Sequence, residues 1–332
     1  MDPTIKDIAK RVNVSFATVS RALNDKDGVK AETKRKILEE ARRLNYRPNA
    51  IARGLVNRRT HTIGLIIPDI TNPFFPEVAR GVEDAAQAAG YGVFLCNTNW
   101  DRKKELKYLD LLSEKRVDGI IHAPISKGAT GFDKILGDLP VVYVGRSPKP
   151  SEVSFVSIDN FRGGFLATDY LLEKGCWPVG FIGAPEDSMT LEERLKGYKT
   201  ALKYRGREVD DRYIRFGDFK RETGYNIIKS MIQEGLEPKG IFGENDLLAI
   251  GAIQGAKELG LSVPEDLAVV GFDDIPMAAF PEISLTTIGQ PKYEMGRLAF
   301  EMLSDKLENN GKAPAEAARI ILEPHIIPRK SA

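Results

Sequence analysis

Residues 4–24 gather side chains of the kind that read nucleic acid: Ser15, Phe16, Ala17, Thr18, Ser20, Arg21 and Asn24. Arg21 can fork two hydrogen bonds to O6 and N7 of a guanine, whereas Phe16 and Ala17 carry no side-chain donor and can only make apolar contacts, for instance with a thymine methyl. The hydroxyls and amide of Ser15, Thr18, Ser20 and Asn24 suit phosphate oxygens, contacts that fix register without reading sequence. A helical hairpin with an ordinary solvated face would carry many of the same residues, so the surrounding elements have to decide.

Thr4 followed three residues later by Asp7 marks a helix start, and Ile5, Ile8, Ala9 and Val12 recur at the spacing of one apolar stripe. Asn13-Val14 interrupts that helix, Ser15 is a good N-cap for a second, and Val19, Ala22 and Leu23 give the second its own buried face. Two brief helices joined by a tight turn are a helix-turn-helix, whose second helix enters the DNA major groove. A third helix over 31–44, apolar at Ile37, Leu38, Ala41 and Leu44, closes a minimal core and stops near Asn45-Tyr46-Arg47-Pro48, since the residue before a proline is pushed out of helical geometry. Residues 49–55 are helix-prone but too short to hold a helix alone in water, and they carry the apolar Leu55. A helix formed only on DNA, with its leucine wedged into a minor-groove base step, accounts for both properties. Charge agrees: residues 1–60 hold 15 Lys+Arg against 7 Asp+Glu, a net of +8, which leaves 33 against 40 in the remainder of a chain whose totals are 48 and 47. A basic head on an acidic body is the footprint of a nucleic-acid binder.

Residues 4–56 resemble the DNA-binding head and hinge of the lactose/galactose repressor family of bacterial transcription regulators. Ala17-Thr-Val-Ser-Arg21 and Arg47-Pro-Asn-Ala-Ile-Ala-Arg-Gly-Leu55 match the family's two most telling motifs, in order and at the expected separation. The resemblance implies that Arg21 reads a base, that Asn49 and Ala52 lie along the minor groove, and that Leu55 is the intercalating leucine. Thr4 and Tyr46, at the two ends of the head, complete the candidate DNA-binding set.

The chain's 332 residues are too many for the head alone and suit a head plus a two-lobed body. From His61 onward short apolar runs at 63–67, 92–95, 119–122 and 141–144 alternate with amphipathic helical patterns, and after 155–158 the rhythm restarts with runs near 178–183, 212–216, 239–243 and 267–271. Two successive sets of this kind predict two doubly wound parallel-sheet lobes with a cleft between them. This span resembles the sugar-binding periplasmic proteins and the family's effector domain. That likeness implies a head at 1–47, a hinge and linker at 48–60, a first lobe at 61–160 with 290–320, and a second at 161–289 with 321–332. One last strand is expected near 320–327.

Ligands of open α/β sheets bind at the carboxyl ends of the strands. The residues that follow the strands include Asn72, Phe74 and Phe75, then Arg146, Arg194, Phe219, Asn245, Asp273 and Gln290. Their fixed donors and acceptors suit hydroxyl groups, and their aromatic rings can stack on the C–H faces of a sugar. The set resembles the ribose-type pattern of the sugar-binding relatives. One departure is Gly145, where many relatives have an aspartate before the arginine; two arginines with less countercharge leave a phosphorylated or acidic sugar as an option. Other readings stand beside this one: Asn245 and Asp273 as helix N-caps, Phe74 and Phe75 as core, Arg194 as a surface charge. Gly163-Gly164 reads as close packing at a helix start.

His61, His122 and His325 lack ligand spacing, and Cys96 and Cys176 are isolated, so neither a metal site nor a disulfide framework is expected. No cofactor is expected either, since the chain has no Walker A sequence and no Gly-x-Gly-x-x-Gly. Hydrolase motifs such as Gly-x-Ser-x-Gly and His-Glu-x-x-His are also missing, which argues against an enzyme. The amino terminus lacks the apolar core of an export signal and no stretch approaches the ~20 apolar residues of a membrane span, so a cytoplasmic protein is expected. The partners implied by the resemblance are a palindromic operator, a small sugar and a second copy of the chain, paired through helices near 74–89 and 101–115. The chain shows no leucine heptad after its last strand, so a dimer rather than a tetramer is expected. The head also resembles the catabolite control proteins, whose corepressor is a phosphorylated carrier protein, and this is the alternative partner.

Overall fold

The computed structural model describes residues 3–25, 27–46, 59–125, 132–145, 153–185, 188, 190–308 and 317–332, and divides the chain into a head, residues 1–60, and a body, residues 61–332. The head contains α1 (Ile5–Val12), α2 (Phe16–Leu23) and α3 (Ala31–Arg43). Asp7 Oδ2 accepts bonds from the Thr4 amide at 2.8 Å and the Thr4 hydroxyl at 2.7 Å, which fixes the start of α1. Asn13 takes φ 57°, a left-handed conformation that asparagine tolerates better than most residues, and so ends it. Ser15 Oγ then accepts the Thr18 amide at 3.1 Å and starts α2. Ile8, Val19, Ala22, Ile37 and Ala41 form the buried core these three helices share.

The body alternates strand and helix through β1 (Thr62–Ile67), α4 (Phe74–Ala88), β2 (Gly92–Asn97), α5 (Arg102–Glu114), β3 (Gly119–His122), α6 (Phe132–Leu136), β4 (Val141–Val144) and β5 (Ser154–Ile158). It continues with α7 (Asn160–Glu173), β6 (Val179–Gly183), α8 (Leu191–Tyr204), β7 (Ile214–Phe216), α9 (Arg221–Gln233), β8 (Gly240–Gly243), α10 (Asp246–Glu258) and β9 (Ala268–Asp273). Last come β10 (Thr286–Gly289), α11 (Lys292–Glu308), β11 (Arg319–Leu322) and β12 (His325–Ile327). Two six-stranded sheets result, ordered β11-β5-β4-β3-β1-β2 and β12-β10-β9-β8-β6-β7. Near-continuous burial along β1, β3, β6, β8 and β9 is what helices on both faces of a parallel sheet require.

Among the described residues the chain passes between the lobes three times, after β5, after β10 and after β11. The third crossing differs from expectation. Residues 320–327 are two strands, not one, and the return to the second lobe falls after Leu322 rather than at Ile321. Ile320 and Leu322 pair in register with Val156 and Ile158 of the first sheet, while Ile326 and Ile327 pair with Ile288 and Thr287 of the second. Between them Pro324 has no N–H to donate to either ladder. β12 also runs antiparallel to β10, so the second sheet is not wholly parallel. Coming off the carboxyl end of β11 through only Glu323-Pro324, the chain enters the second sheet at its carboxyl edge and must run away from it.

Gly163 and Gly164 are close-packing positions. A Cβ at Gly163 would lie 2.6 Å from the Phe272 ring, and one at Gly164 would lie 2.2 Å from the backbone oxygen of Arg194. Gly197 answers from α8, where a Cβ would meet the Phe161 carbonyl at 2.2 Å. Two helix backbones therefore touch at this crossing, and the register of Arg194 depends on it. Gly164→Ala is expected to lower unfolding stability by about 1–3 kcal/mol, the usual cost of overpacking, measured as a shift in the urea midpoint against Gly206→Ala, where a Cβ has open space but the backbone φ is 68°.

Candidate functional site

In the head, the surface of α2 exposes Phe16, Ala17 and Arg21, with Phe16 60% accessible. Ser15 and Asn24 are exposed as well, while Thr18 and Ser20 are partly covered. Several of these side chains also do structural work. Ser15 Oγ caps α2, its hydroxyl lies 2.9 Å from that of Thr18, and Asn24 Nδ2 donates to the Ser20 carbonyl at 2.8 Å. Thr4 is engaged by Asp7. Tyr46 is half-buried against the head core, its amide donating to Ala41 at 2.9 Å, so its body serves packing. Asn49, Ala52 and Leu55 lie outside the described residues.

In the body, one cavity between the lobes is lined by Asn72, Phe74, Phe75, Arg194, Phe219, Asn245, Asp273 and Gln290. All the positions read from the strand ends, save Arg146, meet there; Arg146 lies outside the described residues. The elements explain the convergence. Asn72, whose Oδ1 accepts the Phe74 amide at 3.1 Å, forms the turn that starts α4 and brings two rings to the cavity at 89° to each other. Asn245 is the N-cap of α10, accepting the Leu248 amide at 2.8 Å, so the capping reading and the cavity reading are both true of it. Phe74 is likewise buried in the core of its lobe and lines the cavity at once.

Arg194 is not a surface charge. Only 6% exposed, it donates from Nε to Asn160 Oδ1 at 2.9 Å and from Nη1 to the Glu244 carbonyl at 2.6 Å, and its guanidinium lies 3.6 Å from the centroid of the Phe272 ring. The strongest acidic contributions to the field it sits in come from Asp273, Glu244 and Asp246, all buried. Glu244 accepts the Ala184 amide and the Thr190 hydroxyl, and burial pushes its carboxyl above the usual range against the pull of Arg194. Asp246 accepts the Ile275 amide at 2.8 Å and the Thr287 hydroxyl, and is raised by burial and by the neighbouring Asp273. Arg194 thus has countercharge from the second lobe, from Asp273, Glu244 and Asp246. Gly145 itself lines the cavity at φ 91°, a conformation an aspartate would adopt only under strain.

Asp273 also stands at a strained corner, with φ 115°, followed by Asp274 at φ 52°. Gln290 Nε2 donates to its Oδ1 at 2.6 Å, and Lys292 Nζ donates to the carbonyls of both Asp273 and Asp274 at 2.7 Å. Burial pushes the Asp273 carboxyl up to about 6, with Arg194 and Lys292 opposing the rise.

The cavity also holds residues that the sequence reading passed over: Trp100, Asn160, Ser188 and Thr190. Trp100 and Asn160 follow β2 and β5, so the rule of reading strand ends would have found them had it been applied to every strand. Ser188 and Thr190 carry no such signal. Among the described residues no group of three or more His, Cys, Asp or Glu could hold a metal ion. His122 is buried with its Nε2 2.9 Å from Glu105, His61 lies 5.3 Å from the Tyr91 ring, and His325 belongs to β12. No described helix is long and apolar enough to cross a membrane.

A family model described as periplasmic binding proteins and sugar binding domain of LacI family matches residues 60–325, and one described as bacterial regulatory proteins, lacI family, matches residues 4–49. The HTH-type transcriptional regulator RegA of Clostridium saccharobutylicum is 38% identical over 337 residues, covering 100% of this chain and 99% of its own. Catabolite control protein A of Priestia megaterium is 37% identical over 306 residues, 92% of each chain. The ribose operon repressor of Escherichia coli (strain K12) is 35% identical over 335 residues, 99% of each. Of solved structures, the transcriptional regulator CelR–cellobiose complex superposes with a TM-score of 0.76 at 29% identity, over 99% of this chain and 100% of that one. The lac repressor dimer bound to operator and the anti-inducer ONPF gives 0.88 at 24% identity over 100% and 99%, a likeness of fold.

The raised carboxyl of Asp273 has a signed consequence. It holds its proton more tightly in the folded chain than unfolded, where its value is the ordinary 3.8. Its contribution to stability is therefore full below that value and lost as pH rises through about 6. Asp273→Asn is expected to flatten the decline of the urea-unfolding free energy between those two pH values, measured in parallel with the wild-type chain.

Proposed function

This chain belongs to the lacI family of bacterial regulatory proteins and is a DNA-binding transcription regulator of sugar metabolism, and from that premise we propose that its cleft takes a small neutral sugar, a pentose such as ribose or a close relative. The observation that carries this reading is the convergence of eight strand-end residues on one cavity, where the rings of Phe74, Phe75 and Phe219 stand beside the buried, hydrogen-bonded polar groups of Arg194, Asn245, Asp273 and Gln290. Such walls match a ring with apolar C–H faces and hydroxyls at its rim. The chain's relatives are transcription regulators rather than enzymes.

The proposed mechanism is a coupling free energy between the cleft and an operator. Two copies of the chain pair, the two heads read the halves of a near-palindrome in the cytoplasm, and Asn49, Ala52 and Leu55 engage the minor groove between them. Lobe closure on a sugar changes the spacing of the two hinges and with it the affinity for DNA; the reading adopted is repression relieved by sugar. Exposed Phe94 and Leu95 on the edge strand β2, with Leu111 on α5, support pairing through the first lobe. A solitary chain would leave those side chains against water.

Two measurements test the proposal. Arg21→Ala should weaken binding to an operator recovered by selection from random DNA by about 1–3 kcal/mol, and relax preference at one guanine. A thermal-shift screen against pentoses, hexoses and their phosphates should give a hit confined to one or a few sugars and abolished by Arg194→Ala. A ligand at about 100 times its dissociation constant stabilises by about 2.7 kcal/mol, well within detection. Silence of the whole panel with operator binding intact would overturn the sugar reading and transfer the corepressor role to a phosphorylated carrier protein.

A further inference from the structure

Trp100, like Asp273, lines the cleft in a conformation with positive φ. It stands at φ 59° directly after Asn99 at φ 54°, two consecutive left-handed residues without a glycine. For a bulky side chain this is a genuine outlier, of the kind that survives only where its surroundings hold it. Here they do. The Trp100 amide donates to the Pro68 carbonyl at 3.3 Å and the Asp101 amide to Thr98 at 3.1 Å. Asn97 Oδ1 accepts the Ile70 amide at 3.0 Å, and Asp101 caps α5 through the Lys103 amide at 2.8 Å. The corner is pinned to the carboxyl ends of β1 and β2 and throws the indole across the cleft. There it stacks on Phe219 of the other lobe, centroids 4.0 Å apart and planes 15° from parallel, with Phe75 against it edge-on at 6.3 Å.

The stack separates two hollows. The inner one is the cavity of Arg194 and Asp273; the outer one is rimmed by Asp69, Asn99, Arg102, Asp218 and Lys220. Both are walled by Trp100 and Phe219. A ligand reaching from the inner hollow into the outer one past this wall would have to displace the indole from Phe219. Resting on the sugar reading of the cavity, we propose that Trp100 is a specificity-determining latch: it closes the cleft by stacking on Phe219 and restricts the effector to one ring.

Two arms test this. The first needs no ligand. Trp100 and Trp177 are the chain's two tryptophans, so Trp177→Phe leaves Trp100 as the sole emitter; if that variant is unstable, the difference between the wild type and Trp100→Phe serves instead. Phe219→Ala is expected to raise acrylamide quenching of Trp100 at least about twofold, since one face of the indole loses its cover. Unchanged quenching overturns the stack.

The second arm compares D-ribose, D-glucose, cellobiose and maltose by thermal shift and titration on the wild type and on Trp100→Ala, with circular dichroism to confirm that the variant folds and Trp100→Phe as the ring-retaining control. The wild type should respond to a monosaccharide and to neither disaccharide. Trp100→Ala should bind that monosaccharide about tenfold or more weakly, through loss of a stacking wall, and should acquire a response to a disaccharide. A disaccharide bound by the wild type, or a variant that still rejects both, overturns the size limit. If no sugar moves either protein, the sugar reading falls, and the quenching comparison still decides whether the latch exists.

Discussion

Taking the guanidinium of Arg194 out of water is the constraint around which the body is arranged. An ion buried to this degree costs several kcal/mol unless it is paired and hydrogen-bonded. No single element supplies what it needs. Asn160 reaches it from the first crossing, the Glu244 carbonyl from the end of β8, the Phe272 ring from β9, and the Asp273, Glu244 and Asp246 carboxyls set the field around it. The glycines of α7 and α8 let two helix backbones come close enough for all of these to reach.

The same neighbourhood contains the joints of the molecule. Asn160 opens the helix that follows the first crossing, and Gln290 and Lys292 bracket the second, where they hold the strained corner at Asp273 and Asp274. Arg329, after the third crossing, donates to Asp274 Oδ1 at 2.6 Å. Residues that line the cavity are therefore bonded to the segments that join the two lobes. Under the proposed function, a sugar that rearranged Asp273 would act directly on those segments, a short physical route from the cleft to lobe geometry.

Much of the fold was legible because its signals are local. Apolar periodicity gave the three head helices and most strands, and the caps at Thr4 and Ser15 fixed where helices begin. Where the reading failed, two partners far apart in sequence decided. The segment 320–327 looks like one strand because nothing in it says that Ile320 belongs beside Val156 and Ile326 beside Ile288. Arg194 joins the cavity set only through its company at the strand ends; taken alone it looks like a helix charge until Asn160, Glu244 and Phe272 are brought around it.

By itself, the sequence determined the order of elements, the helix-turn-helix with Arg21 on its open face, and the polar and aromatic residues placed at strand ends. These depend on spacing over a few residues, where backbone geometry dictates which side chains share a face. Only the tertiary structure decided what those side chains are worth. It turned Gly145 from a missing charge into a backbone conformation, set the countercharge of Arg194 on the second lobe, and laid Trp100 against Phe219 from across the cleft. Such burial and pairing depend on contacts between residues well separated in the chain, 34 and 50 positions apart for the hydrogen bonds of Arg194 to Asn160 and Glu244, and no local pattern encodes them.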